Sequence, residues 1–574
     1  MAVISALAVR ITRAWPRAIS PALCTGLLIL LGVAVVCPIA LLIYSGFIVE
    51  EPGGMTRLGL DHWTSALAEP RLVESAVNTI NRVAVTTVIA LPIALALSWL
   101  VTRTDVPSGR IFLVCCWIAF FLPTLPVVLG WMLLLDPDSG VLNRFIATAL
   151  ALDRGPFDIY GFWGIVFAHL VTKAIAVKCI FLIPAFRNLG AALEEPSRVC
   201  GAGPVYTLIH IVIPVLAPAI AVTLVISIIH ALESFEIELI LGTPIGFYVY
   251  STRIYQLVHE DPPKFGMATA LGLGILAMML PLIILQWRIA VRRNVATLTT
   301  GFRTDVLRLR HWRWPAFVPI AAVGTAFTLI PLAFLGLATF MKVFGFFGLA
   351  QPYTLDHWRA VLNDTTFLKS MGNTLMIGLG TGVTGMLLAV LIAYIAVRTR
   401  YRLRAVLDFM TWLPAGIPGI ILGLGFLWMF LSVPVLYPFY GTIGALMVAV
   451  VLATLTVGVQ LVKTSMLQLG SDLEEASTVA GASWFYTFRH IVIPVLGPAI
   501  FTVGILIFAV AARNVANIAM IVTADNRPLA MLQVEYMVDG VYEPAAVVGV
   551  VIVLITSSVS AIAVLIGRRA GVRL

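Results

Sequence analysis

Twelve stretches of this 574-residue chain are apolar for long enough to cross a bilayer, and that property leaves few folds open. A spanning helix needs about 20 apolar residues. Such runs lie near residues 22–48, 77–101, 111–135, 161–186, 215–241 and 267–289. A second set lies near 315–342, 373–397, 406–432, 441–466, 497–523 and 546–567. Only helices or closed barrels satisfy their backbone in lipid, and these runs are far too long for barrel strands. The expected fold is an all-α polytopic membrane protein. Composition agrees: only 11% of residues are charged, against about 25% in soluble domains. The basic start and first apolar run resemble a signal peptide, but the run exceeds an h-region of about 7–15 residues and no small-x-small site closes it. It reads as an uncleaved first span. The six cysteines, all in the first half, lack ligand-like spacing and read as small hydrophobes.

The two sets of runs are copies of one pattern. "LDHW" at Leu60 recurs at Leu355, "SAVNTI" at Ser75 matches "SMGNTL" at Ser370, and "LPTLPVVLG" at Leu122 resembles "LPAGIPGIILG" at Leu413. Each half carries six spans, an even number, so the copies run in the same direction as parallel repeats. The first repeat is expected over 1–300 and the second over 301–574. The corresponding positions are 295 residues apart early in the halves and 280 apart late, the extra length falling around Asp136 to Tyr160.

Basic residues set the orientation. Arg10, Arg13 and Arg17, the Arg103/Arg110 loop, the arginines joining the halves, Arg398 to Arg404 and Arg568 to Arg573 all fall on one side. The opposite loops mix acids with few bases. The basic side is expected to be cytoplasmic, with both termini inside. This placement, rather than nucleic-acid binding, accounts for the net charge of +9.

One charged sentence is written twice on that side: "EEPSRVCGAGPVYTLIHIVIPVLAPAI" from Glu194 and "EEASTVAGASWFYTFRHIVIPVLGPAI" from Glu474. Each reads as a helix, a glycine break, a second short helix, a proline and then a span. Ser471 and Glu474 suit a capping box, Gly481 a sharp turn and close backbone approach, and Pro494 a break in the helical ladder. Ala191 and Pro196 should make the first copy's opening helix less regular. Such a hairpin either anchors its loop in the interface or docks a partner that has two equivalent sites.

The pattern E-A-x-x-x-x-G-A, nine residues, then I-x-[IL]-P resembles the cytoplasmic loop of permease subunits in binding-protein-dependent ABC importers. Glu475, Ala476, Gly481, Ala482, Ile491 and Pro494 match it. So do Glu195, Gly201, Ala202, Ile211 and Pro214, with Pro196 in place of an alanine. The resemblance covers nearly the whole chain as two fused permease domains. It implies coupling loops near 187–214 and 467–494 that seat in an ATPase subunit. Fused permeases of this kind serve iron(III), thiamine or 2-aminoethylphosphonate, and a polyamine is a further candidate; iron(III) is the leading expectation. The chain has no G-x-x-x-x-G-K-[ST] motif to cradle ATP phosphates. The resemblance therefore implies a separate ATPase that binds ATP, expected as a homodimer, a periplasmic binding protein, and residence in the bacterial inner membrane. No cofactor, metal or catalytic residue is expected in this chain.

Charges at membrane depth are costly and usually paired or functional. Lys173 lies in the fourth run, Glu233, Glu236 and Glu238 in the fifth, and Arg513 and Asn514 in the eleventh. The repeat sets Arg513 in register with Glu233. Lys173, Glu233, Glu236, Arg513 and Asn514 are accordingly candidates for a gate or substrate path, or for internal pairing such as Lys173 with Glu233 or Glu236. A secondary transporter also uses parallel repeats but has no need of the doubled loop, and no nucleophile–base set supports a membrane-embedded enzyme.

Overall fold

The computed structural model describes residues 21–50, 56–107, 109–189, 194–292, 307–470 and 472–569. Nearly all of them lie in helices or short loops. The exception is a two-stranded antiparallel hairpin, Ile48–Glu50 against Thr56–Leu58, with Ile48 opposite Leu58. Among the described residues, ten helices are long and apolar enough to cross a membrane, or up to twelve when two bent pairs are counted as spans. In chain order the first span is Pro21–Ser45, the second Pro70–Arg103, the fourth Phe162–Arg187 and the fifth Pro204–Leu232. The sixth is Phe265–Arg292, and the seventh is Arg310–Ala338. The eighth is Thr365–Arg398, the tenth Ile443–Gln468 and the eleventh Trp484–Ala511, before a twelfth at Tyr542–Arg569.

The third and ninth runs are not straight spans. Gly109–Phe121 and Thr124–Leu135 meet at 106°, and Arg404–Gly416 and Gly419–Ser432 at 111°. Proline causes both bends. Pro123 and Pro418 hold extended backbone ahead of each second leg. Neither can donate to a helical ladder, and each pushes its predecessor out of the helical region. Every residue of Thr124–Leu135 is buried, so this leg faces protein rather than lipid. Gly130 lets it pack closely: a Cβ there would lie 2.1 Å from the Pro331 carbonyl oxygen.

The chain forms two compact units that cut across its repeats. One comprises residues up to Tyr44, Gly372–Asn526 and the chain from Ile555 onward; the other comprises Ser45–Met371 and Arg527–Leu554. The first span thus belongs with second-half helices. Thr25 Oγ1 lies 3.0 Å from the Tyr401 hydroxyl, and Gly425 leaves room for the Pro38 carbonyl, which a Cβ would meet at 3.0 Å. The seventh span belongs with first-half helices, where the Phe327 and Phe112 rings lie 6.4 Å apart. In the larger unit, Ala90 and Ala94 on the second span and Ala176 and Cys179 on the fourth are all fully buried. Small residues at a helix seam allow the close approach on which packing in lipid depends. Large apolar side chains such as Ile29 and Leu30 stay exposed, as expected where the solvent is hydrocarbon.

Candidate functional site

Both copies of the doubled sentence fold to the same design. The opening helix is Glu195–Val199 in the first copy and Asp472–Val479 in the second. Pro196 sits in the first turn of the shorter one, as its irregular sequence predicts. Each helix ends at a glycine in the left-handed region, Gly201 at φ +81° and Gly481 at φ +82°. The next amide closes a Schellman turn, Ala202 N–H to the Ser197 carbonyl at 3.0 Å and Ala482 N–H to the Ser477 carbonyl at 3.1 Å. No atom lies within 4 Å of a Cβ built on either glycine, so backbone conformation alone requires them; close approach does not. A buried hydroxyl pair ties the two arms of each hairpin, Ser197 to Thr207 and Ser477 to Thr487, each 2.8 Å apart.

The prolines do not break the ladder. A π-helical turn, Leu208–Val212 or Phe488–Val492, runs directly into the span that contains Pro214 or Pro494. The wider turn absorbs the missing proline N–H without ending the helix. Ile211 and Ile491 lie in these turns, half-buried, and Ile491 lines a small crevice with Arg398, Leu473, Glu474 and Val495. Ala476 accepts from the Ala480 amide at 3.0 Å, a bond of the opening helix. The most exposed apolar side chains of each hairpin are equivalent, Val199 at 86% and Val479 at 89%. Tyr206 and Tyr486 stack on His210 and His490 with centroids 4.1 and 4.3 Å apart.

The expected capping box involves Ser471, which lies outside the described residues, as does Ala191. Glu474 is committed elsewhere: its carboxylate forms an ion pair with Arg398 at 2.9 Å. Glu194 does the same with Arg103 at 3.0 Å. Motif matching points to the following residues, Glu195 and Glu475, which are exposed on the hairpins. The inward-facing glutamates escaped it; the paired "EE" of both copies and the arginine ending each preceding span were the signals available.

Past the ends of the fifth and eleventh spans lie four of the five candidate path residues, Glu233, Glu236, Arg513 and Asn514. Glu233 pairs with His230 at 3.1 Å. Asn514 accepts from the Asn517 amide at 3.2 Å. Lys173 occupies a π turn, Leu170–Ala174, and Arg513 follows the eleventh span. Glu233 and Arg513 belong to different compact units. Glu236 is half-buried, and among the described residues no hydrogen bond or ion pair engages its carboxylate. The deepest charges had a partner that sequence reading missed. Glu238, fully buried, meets Arg82 at 3.0 Å and His169 at 2.8 Å, and accepts from Ser234 at 2.6 Å. Arg82 also donates to the Ala231 carbonyl at 2.9 Å. Arg82, an arginine set inside the second span rather than at either end of it, was a visible signal. The second repeat carries Ile377, Ala449 and Ile518 at the positions of Arg82, His169 and Glu238, all buried.

The described residues thus form a polytopic helical membrane protein that carries two glycine-hinged loops of one design. Residues 385–572 match the family described as binding-protein-dependent transport system inner membrane component. It is 26% identical over 480 residues to the "Ferric transport system permease protein FbpB" of Actinobacillus pleuropneumoniae, covering 83% of this chain and 68% of the relative. The "Putative ferric transport system permease protein FbpB 1" of Haemophilus influenzae is 27% identical, with 77% and 68% covered. The "Probable ABC transporter permease protein y4fN" of Sinorhizobium fredii is 26% identical, with 86% and 87% covered. Among solved structures, a bacterial ABC transporter involved in import of the acidic polysaccharide alginate overlays at TM-score 0.36 and 21% identity, over 45% of this chain and 88% of that one.

Proposed function

We propose that this permease forms the translocation path for an iron(III)-type solute, delivered by a periplasmic binding protein and driven by a separate ATPase homodimer. The observation that carries the driving step is the doubled hairpin. Two loops share a glycine conformation, an internal hydroxyl pair and an exposed valine, which suits a partner with two equivalent grooves. The relatives named for ferric transport support the cargo, since they span 83% and 77% of this chain.

In this reading the hairpins and both termini face the cytoplasm, as the basic loops require. ATP is bound by the partner subunit, and this chain is not itself catalytic. Lys173 within the fourth span, and Glu233, Glu236, Arg513 and Asn514 past the ends of the fifth and eleventh, line or gate the path. Iron-55 uptake by cells expressing this chain with its ATPase and binding protein tests the proposal. Uptake should require all three proteins and disappear in a Gly201→Val/Gly481→Val variant that still inserts in the membrane. Iron uptake that persists without the ATPase would refute the driving mechanism. Undiminished binding-protein-dependent uptake of another solute, with none of iron, would refute the cargo.

A further inference from the structure

We propose that Arg103 and Arg398 are positioning residues that carry displacement of each hairpin into two membrane spans at once; this rests on the docking role proposed above. Arg103 is the last residue of the second span, and Arg398 the last of the eighth. Each guanidinium joins three segments. Arg103 pairs with Glu194, ahead of the first hairpin, at 3.0 Å and donates to the Leu189 carbonyl, just past the fourth span, at 2.7 Å. Arg398 pairs with Glu474 of the second hairpin at 2.9 Å and donates to the Leu469 carbonyl, just past the tenth span, at 2.7 Å. The same arrangement thus arises twice from equivalent positions.

Both pairs are shielded, with side-chain exposures of 1% and 7% in the first and 11% and 15% in the second. A planar guanidinium can serve a carboxylate and a carbonyl together, whereas lysine offers a point charge on a flexible stem. Each also places positive charge at a helix C-terminus, where carbonyls are unsatisfied and the dipole is negative. The need for a tie is local. Each hairpin turns on a left-handed glycine, and a push on its exposed face would swivel it unless its start were fixed to the spans.

The two ties differ in their backing. Tyr394, on the eighth span, lies 3.3 Å from Glu474, and its ring sits 5.2 Å from that of Phe488 and 6.0 Å from that of Trp484 in the second hairpin. The first repeat has Trp99, Leu208 and Pro204 at the matching positions. Loss of Arg103 should therefore be felt more than loss of Arg398.

The test uses the full complex with its ATPase in lipid. Hydrogen exchange is read at the outer end of the eighth span, residues 365–371, and of the second span, residues 70–76, with and without ATP and vanadate. Arg398→Gln and Arg103→Gln should co-purify with ATPase at wild-type yield and hydrolyse ATP. The nucleotide-dependent change should fall at least threefold at the outer end of the span concerned, more for Arg103. Arg398→Lys should recover only part of it, since the ion pair returns without the Leu469 bond. Wild-type exchange changes in both Gln variants would overturn the proposal. So would losses that merely track reduced ATPase association, which would make the arginines structural. Failure of the wild-type chain to associate with an ATPase would overturn the docking role itself, and this proposal with it.

Discussion

At the scale of single residues, Gly481 separates conformational need from packing need. Its φ of +82° lies where a β-branched residue is strained, yet the space around it is open. Left-handed backbone costs an ordinary L-residue about 1–2 kcal/mol, and asparagine pays less than most. Gly481→Val should therefore disrupt the hairpin and lower ATPase co-purification severalfold, while Gly481→Asn keeps most of it. Equal loss in both would show that the side chain's size matters instead. Glu236 poses the opposite case, a half-buried carboxylate with no partner among the described residues. Glu236→Gln should leave the yield and thermal stability of the purified chain unchanged while altering uptake rate. Glycine, proline and the "EE" pairs were readable in the sequence. Which glutamate of each pair turns inward was not, because that depends on an arginine 76 to 91 residues away.

At the scale of elements, two π-helical turns frame the buried ionic group. Leu170–Ala174 begins directly after His169, and Glu238–Gly242 begins at Glu238. π turns inside helices are frequent at functional sites. The tenth span, the second repeat's counterpart of the fourth, runs as an uninterrupted α-helix from Ile443 to Gln468. Removing Arg82 leaves the buried Glu238 carboxylate only His169 and Ser234, and loss of the ion pair in Arg82→Ala should cost about 3–5 kcal/mol, measurable as a large drop in thermal stability in detergent. Replacing the whole group by its second-repeat residues, Arg82→Ile, His169→Ala and Glu238→Ile, should recover most of that stability, since apolar substitution of a buried ionic group is often neutral. If the group serves transport, the triple variant will fold and fail in uptake. Wild-type uptake in the triple variant would make the group purely structural. Apolar run lengths revealed these helices but not their bends or π turns, which follow from prolines and buried partners that hydropathy averages away.

At the scale of the molecule, the helical membrane class and the doubled loop were legible because each is written in local sequence. The grouping into compact units was not, since it sets the first span with second-half helices and the seventh with first-half helices through contacts hundreds of residues apart. The central claim is that the two hairpins seat one ATPase dimer. Its most direct measurement is site-specific cross-linking from cysteine at Val199 and Val479, the exposed apices of the hairpins, in a background free of native cysteines. With the ATPase co-expressed, each single variant should cross-link to one ATPase subunit, and the double variant should capture two. Absence of any ATPase adduct from both positions, in a complex that still transports, would contradict the account.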